Sequence, residues 1–234
     1  MAKPKTRERI LQASLALFNE VGERNVSTNH IAAELGMSPG NLYYHFRNKQ
    51  QIIYELYLGY EAEVKQTLQL PEGRPLTLED KRGYLEGIFD GMWRFRFFHR
   101  DLEHMLECDG QLRASYRQLA QHCLAQGKAI YQGLVDAGYL QASEEEVEAL
   151  SYNSWILMTS WVSFLRTVVQ DEGDTTLTSA MIRRGIYQIM ALERVFLTEF
   201  ARDQIRPMEQ DFFAPLDADG TALREQKTAV SAEP

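Results

Sequence analysis

Cysteine is scarce in this chain, with two among its 234 residues, Cys108 and Cys123. Their separation does not match the paired spacing of a zinc site, and two thiols in a chain of this length are typical of a reducing compartment. A chain of this length can bury a hydrophobic core without covalent support. The composition therefore argues against a disulfide-stabilised small fold and indicates one large domain or two small ones.

Long apolar runs are also missing. The most apolar run, WILMTSWVSFL from Trp155 to Leu165, is too short to span a bilayer and is followed by Arg166. The N-terminal sequence MAKPKTRERI is basic, but no apolar stretch follows it as a signal peptide would require. The sequence therefore predicts a cytoplasmic protein with no membrane partner.

Signatures of catalysis are absent as well. The sequence contains no P-loop, dinucleotide-binding fingerprint, nucleophile elbow or HExxH motif. His104 lies four residues before Cys108, and His122 adjoins Cys123, but neither pair has carboxylates at the spacing of a metal site. We therefore predict that the protein is not an enzyme and that it uses no metal or cofactor.

Positive charge is in the minority, since the formal net charge is −8, but it is unevenly distributed. Residues 1–50 hold seven lysines and arginines against four glutamates, so the acidic excess lies in the remainder of the chain. Such asymmetry indicates a small basic module joined to an acidic body.

The pattern that fills the chain is helical. Apolar residues recur at helical spacing nearly throughout, without sustained two-residue alternation, which predicts an all-α fold. Gly22 is expected to end the first helix, Ser27 to cap the second, and Ser38 with Pro39 to begin the third. Further helices are predicted at 78–99, 101–108, 111–137, 144–170 and 178–202. We expect a three-helix module over 1–50, a helical body over 51–206 and a polar tail over 207–234 that is disordered from Asp217.

The third helix has two contrasting faces. Leu42 and Phe46 are four residues apart and should anchor the helix to the core. The outward face offers a glycine, an amide, two tyrosine hydroxyls and the guanidinium of Arg47, which suit close contact with a phosphate backbone and base edges, and His45 and Lys49 can also hold phosphates. Gly36 permits the tight turn before this helix, which favours a helix-turn-helix. From these residues alone, a simple corner of two helices with exposed aromatics remains the alternative.

The run VSTNHIAAELGMSPGNLYYHFRNKQQI resembles the DNA-binding signature of the TetR family of transcriptional regulators. The resemblance covers about residues 5–55, with one mild departure at Ser27, where the family usually has a β-branched hydroxyl residue. It implies an N-terminal helix-turn-helix domain, a larger helical domain for effector binding and dimerisation, and a double-stranded DNA operator. The DNA-contacting residues that it implies are Lys5, Arg7, Ser27, Thr28, Asn29, Ser38, Gly40, Asn41, Tyr43, Tyr44, His45 and Lys49.

The helical body over 51–206 predicts two further partners, a second copy of the chain and a small molecule. The segment Trp155–Leu165 is apolar almost all round, so it must be covered on every side. The resemblance implies that the last two long helices form a homodimer interface, and an ordinary core helix is the alternative. The resemblance also implies a small-molecule effector. Aromatic and apolar residues among a few polar groups suggest a largely hydrophobic ligand with one polar or acidic end. The residues expected to line its site are Phe89, Met92, Trp93, Tyr131, Tyr152 and Trp155.

The function expected from these features is a dimeric repressor that leaves a palindromic operator when its effector binds. An all-helical carrier of small molecules or lipids without DNA binding is the alternative, and a small helical enzyme is a third hypothesis. The basic N-terminal module favours the regulator. An enzyme would require a cluster of titratable residues that the sequence does not show.

Overall fold

The computed structural model of the protein describes residues 5–169, 177–214 and 216. Across these residues the chain forms ten α-helices, as the all-α prediction requires. The predicted turn at 170–176 and the tail from Asp217 lie outside the described residues. The helices are α1 (Thr6–Val21), α2 (Thr28–Glu34), α3 (Pro39–His45), α4 (Lys49–Thr67), α5 (Leu78–Arg94), α6 (Arg96–Cys108), α7 (Gly110–Asp136), α8 (Glu144–Phe164), α9 (Ser179–Glu193) and α10 (Glu199–Asp211).

The helices divide into two compact units. Among the described residues, the first unit contains 5–66 and 94–121, and the second contains 67–93, 122–169, 177–214 and 216. The predicted DNA-binding domain, residues 1–50, is therefore part of a larger unit that also includes α4, α6 and the first part of α7. The boundary expected at residue 50 does not coincide with a break in packing, because the buried side chains of α4, such as Ile52 and Leu56, continue the same unit.

Side-chain caps and one glycine set the helix ends in the N-terminal module as the sequence predicts. The Ser27 hydroxyl accepts from the His30 N–H (3.2 Å), and the Ser38 hydroxyl accepts from the Asn41 N–H (3.3 Å). Gly36, with a φ of 61°, makes the turn between α2 and α3. These local bonds determine where α2 and α3 begin, and Gly36 allows the chain to turn between them.

The first unit holds α1 against α6 with polar bonds as well as apolar packing. Phe18 of α1 is fully buried, and its ring lies 5.3 Å from that of Phe97. The Asn19 side chain donates to the Arg94 carbonyl (2.8 Å) and accepts from the Phe97 N–H (3.0 Å). Arg100 donates to the Phe18 carbonyl (3.1 Å). The end of α1 is thus bonded to three successive parts of the α5–α6 region of the same unit.

The second unit has an apolar core crossed by a polar network. Phe89 of α5 packs so closely on α9 that a Cβ at Gly185 would overlap its ring. The buried ammonium of Lys81 pairs with Glu193, which also accepts from the Tyr131 hydroxyl (2.9 Å). Burial lowers the pKa of Lys81 to about 7 and raises that of Tyr131 to about 12. The network joins α5, α7 and α9, and removal of one charge would leave the other buried without compensation.

Two predicted helices are interrupted, and the predicted start of the tail is wrong. The segment 78–99 breaks at Phe95, and 178–202 breaks after Glu193. Thr198 begins α10 by accepting from the Ala201 N–H (3.3 Å), while its hydroxyl donates to the Gly138 carbonyl (2.8 Å). The helical body also continues past 206 to Asp211, because Met208 and Phe212 are buried in the core.

None of the helices described by the structure is long and apolar enough to cross a membrane.

Candidate nucleic-acid interface

The third helix has the two faces that its spacing predicts. Leu42 and Phe46 are fully buried, whereas Tyr43 and Tyr44 expose 48% and 84% of their surface. An aromatic ring that is mostly exposed on a helix with a buried opposite face is available for a partner. The structure thus confirms the inward anchoring of α3 and the outward position of its tyrosines.

The remaining predicted residues of α3 surround these rings. Gly40 and Asn41 are exposed, and a Cβ at Gly40 would meet no atom within 4 Å. The half-buried His45 ring lies edge-on to Tyr44, with centroids 5.1 Å apart. Ser38 is exposed at the helix start, although its hydroxyl is used as the cap. An additional side chain at Gly40 would therefore project into open space.

The second helix joins this surface through one hydrogen bond. The Thr28 hydroxyl lies 3.0 Å from the Tyr43 hydroxyl, so the start of α2 and the middle of α3 share a polar contact. Ser27 and Asn29 are exposed on either side of Thr28. The structure therefore brings the predicted residues of both helices to one surface.

A shallow cleft of about 390 Å³ lies beside this contact. Its charged members include Arg24 and Arg47, and its amides are Asn25 and Asn48. None of these four was among the predicted contact residues, although Arg47 was expected to point outward. Their proximity depends on the turn between α1 and α2, which sequence spacing alone does not describe. The lining residues are Arg24, Asn25, Val26, Ser27, Thr28, Tyr43, Arg47, Asn48 and Lys49.

Two predicted phosphate contacts are already paired within the protein. The Lys49 ammonium lies 2.7 Å from Oε1 of Glu23 and donates to the Glu23 carbonyl (3.0 Å). Arg7 lies 2.6 Å from Oε1 of Glu55, and its guanidinium is 4.9 Å from the centroid of the Phe46 ring. Both cations are therefore balanced inside the first unit. The sequence did not reveal this, because each partner is distant along the chain.

Lys5 lies at the start of α1, where its backbone N–H donates to Oε2 of Glu8 (3.1 Å) and its side chain is exposed. This position is compatible with the predicted contact to a DNA backbone. Lys5 does not take part in the Arg7–Glu55 or the Lys49–Glu23 ion pair.

The residues predicted to bind an effector are not gathered around one opening. Phe89 and Met92 are buried in the core of the second unit, and Tyr131 is bonded to Ser154 (2.6 Å) as well as to Glu193. Trp93 and Trp155 are half-buried. Tyr152 is 49% exposed, so it is not buried together with Phe89 and Met92. It lies on the opposite side of α8 from the buried Ser154, which helical spacing could have indicated.

Metal ligands do not assemble in the part of the chain that the structure describes. No group of three or more histidine, cysteine or acidic side chains is placed there to hold a metal ion. The His104 ring and the Cys108 thiol are in contact, with Nε2 3.7 Å from Sγ. This pair is a close contact on one helix face, as its four-residue spacing predicts.

Comparison with known families agrees with the helix-turn-helix geometry. Residues 10–56 match the model described as bacterial regulatory proteins of the tetR family. Residues 59–205, more than half of the chain, match the model described as a TetR bacterial transcriptional repressor. The chain belongs to the TetR family of bacterial transcriptional regulators. Its N-terminal module is therefore the DNA-binding domain of the family, and α2 and α3 are its helix-turn-helix.

Individual relatives differ in their sequence identity to this chain and in the share of it that they cover. The chain is 46% identical to a TetR-family regulator from Marinobacter aquaeolei VT8, covering 90% of this chain and 100% of that one, with a TM-score of 0.83. It is 28% identical over 143 residues to an HTH-type transcriptional regulator of Staphylococcus aureus, covering 60% of this chain and 70% of the relative. It is 30% identical over 95 residues to the class C tetracycline repressor of Escherichia coli, covering 41% of each chain. The match to the tetracycline repressor thus spans less than half of either protein.

Proposed function

We propose that this TetR-family protein is a repressor that binds a palindromic operator as a homodimer. The observation that carries the proposal is the exposed ring of Tyr44 on a helix held by the buried Leu42 and Phe46. In this arrangement Asn41 and Tyr43 lie on the same surface as the start of α2. Base edges would be contacted by the side chains of α3, and phosphates by the cleft that contains Arg24 and Arg47.

Dimer formation is supported by an exposed apolar stripe on α8 and the π-helical turn that follows it. Ile156 exposes 58% of its surface, Phe164 39% and Val168 68%, at spacings of four or eight residues. A stripe of this kind is costly in water and is typical of a surface that another chain covers. A two-fold pair would present two copies of α3, which requires two related half-sites in the DNA.

The proposed effector is a largely apolar molecule that binds in the helical body. Phe89, Met92 and the half-buried Trp93 place apolar and aromatic side chains on α5. The buried Lys81 and Tyr131 lie in the same core, where both are bonded to Glu193, so a ligand that used either group would replace one of these bonds. A ligand with one polar or acidic end would pack its apolar part on the side chains of α5 and place its polar end near Lys81 and Tyr131. Its binding would release the operator by altering the separation of the two recognition helices.

The decisive experiment is a gel-shift titration with the DNA immediately upstream of the protein's own gene. We expect a saturable shift, a stoichiometry of two chains per site, and footprint protection of two inverted half-sites. The logarithm of the affinity should fall by about 0.9 per neutralised phosphate with each unit of log salt. Equal affinity for a scrambled duplex, or a salt-independent affinity, would contradict the proposal. Release by added effector candidates would then identify the ligand class.

A further inference from the structure

A second cleft, of about 230 Å³, lies within the first unit. It is formed by the 3₁₀ turn Glu23–Asn25, the first turns of α4, the end of α6 and the start of α7. Ile53, Met105 and Leu112 provide an apolar floor. The cleft therefore differs from the proposed effector site, which lies in the second unit.

One wall of this cleft contains a buried carboxylate that is only half satisfied. Glu23 is 5% exposed, and its Oε1 is paired with Lys49 at 2.7 Å. Its second oxygen, Oε2, is buried and has no hydrogen-bond partner among the described residues. A buried acceptor without a donor is costly and uncommon in folded proteins. A ligand that supplies an N–H donor would remove this cost.

The charged side chains that line the cleft are two cations, Arg24 and Lys49, and two carboxylates, Glu23 and Asp109. Lys49 balances Glu23, and the Arg24 guanidinium is paired with Asp101, with Nε 3.4 Å from Oδ1. Asp109 has no ion-pair partner within the described residues, although its Oδ1 accepts the Leu112 N–H (3.1 Å) at the start of α7. Asp109 is therefore the charged side chain of the lining that forms no ion pair within the described residues, and it lies beside an apolar floor.

We propose that this cleft binds a small aliphatic amine in its ammonium form. Rotation of the Glu23 carboxylate turns Oε2 toward the cleft, where the ammonium donates to it, and the alkyl chain packs on Ile53, Met105 and Leu112. The binding step stands independently of the proposed function, because it involves neither DNA nor the effector site of the second unit.

The cleft is linked to the nucleic-acid interface through one residue. Lys49 lines both this cleft and the larger cleft beside Tyr43. A bound ammonium shares the Glu23 carboxylate with Lys49, which weakens the hold on the lysine and makes its charge available to a DNA phosphate. This regulatory step rests on the proposed function. Occupancy of the cleft should therefore strengthen DNA binding, whereas the effector of the second unit should weaken it.

Binding is tested with the full chain carrying ¹³C-methyl methionine, because Met105 is part of the floor. We expect n-hexylamine to shift the Met105 methyl resonance saturably, and 1-hexanol and hexanoate at equal concentration to leave it unshifted. Glu23→Gln and Gln50→Trp should each abolish the shift, the first by removing the charge and the second by filling the exposed entrance. Cys108→Ser, also in the lining, should retain it. Melting curves verify that each variant is folded.

Several outcomes would overturn the inference. A response to hexanol equal to that to hexylamine would mean that no ammonium site exists. An unaltered response in Glu23→Gln would exclude the carboxylate, and an unaltered response in Gln50→Trp would place the amine elsewhere. These results are obtained without DNA, so a failure of the regulator proposal would leave the test of the cleft intact.

The regulatory step is tested by the salt dependence of DNA binding. With hexylamine present, the slope of log K against log salt should steepen by about 0.9 per subunit, as expected for one additional phosphate contact. Glu23→Gln should show the steeper slope without amine. If the Met105 methyl resonance shifts saturably but the slope is unchanged, the amine site is supported. The proposal that Lys49 then contacts a DNA phosphate is overturned.

Discussion

Some residues of α3 hold the helix in the fold, and others are exposed and are proposed to contact DNA. Leu42 and Phe46 are buried and hold the helix in place, and Tyr44 contributes little to the protein's own packing because 84% of its surface is exposed. Free energy gained by burying Tyr44 is therefore available only in a complex. Mutations on the two faces should consequently have separable effects on stability and on DNA binding.

Replacement of Tyr44 by alanine should weaken operator binding by tenfold or more, because a hydroxyl and a ring that contact the duplex are both removed. The melting temperature should change by less than 1–2 °C, since exposed positions have small effects on folding (about 0.5 kcal/mol or less). Gel shifts and thermal melts of the same preparations measure both quantities. The matched control is Leu58→Ala, a half-exposed apolar residue of α4, which should leave the affinity unchanged. Unaltered affinity in Tyr44→Ala would exclude this ring from the interface.

His99 gives the first unit a predictable response to pH. It is buried between aromatic rings, 5.5 Å from the Tyr60 ring and 6.4 Å from the Phe98 ring by centroid, and burial lowers its pKa from 6.5 to about 4. The lowered folded-state pKa means that the neutral form is favoured by folding. Its stabilising contribution is complete above pH 6.5 and is lost as the pH falls toward 4.

The free energy of unfolding should therefore decrease by roughly 3 kcal/mol between pH 7 and pH 4 through this residue. Urea titrations at a series of pH values measure the decrease. His99→Phe keeps a ring in the aromatic cluster but cannot titrate, so its unfolding free energy should lose this part of the pH dependence. Identical pH profiles for both proteins would show that His99 is not the responsible group.

Whole helices in the N-terminal module depend on their first residues. α2 and α3 have seven residues each, too few to be stable alone, so caps and packing determine their position. The Ser38 hydroxyl accepts from the Asn41 N–H, and Pro39 adopts the first helical position without losing a needed donor. The cap thereby stabilises the helix that carries Tyr43 and Tyr44.

Removal of this cap by Ser38→Ala should cost about 1 kcal/mol of unfolding free energy. Chemical denaturation measures the loss. The matched control is Ser179→Ala, which changes a serine one position after the cap of α9, Thr178, and should cost much less. DNA affinity should also fall in Ser38→Ala, because α3 becomes less ordered before binding. Equal losses at both serines would contradict a capping role for Ser38.

At the scale of the whole molecule, the exposed stripe on α8 indicates that one chain is not the complete functional unit. Trp161, Val162 and Leu165 are buried within the second unit, so one side of this segment is covered by its own chain. Ile156 and Val168 remain exposed on the other side. We propose that a second copy of the chain covers this side and gives DNA binding its symmetry.

Ile156→Asp should convert the dimer to a monomer, because a carboxylate at the centre of an apolar interface would be buried without a partner. Sedimentation velocity measures the mass, and operator affinity should fall at least a hundredfold in parallel. Leu70→Asp, an exposed apolar residue in the loop after α4, should remain dimeric. A dimeric Ile156→Asp protein would place the interface elsewhere.

The helical class and the helix-turn-helix could be predicted from sequence because they depend on neighbours within four residues. Ser27, Gly36 and Ser38 act on backbone groups of their own turn, and the burial of Leu42 and Phe46 follows from helical periodicity. These features need no knowledge of what lies across the fold. For the same reason, the exposed position of Tyr44 was predictable.

Only the tertiary structure shows which charged residues form ion pairs and which helix ends are bonded to each other. Lys49 is held by Glu23, 26 residues earlier, and Arg7 by Glu55, so neither is a free cation as local chemistry suggests. After the break between α9 and α10, the Thr198 hydroxyl donates to the carbonyl of Gly138, 60 residues away. Sequence periodicity determines which face of a helix is apolar, but pairing between distant residues is decided only when the packed helices bring their atoms within bonding distance.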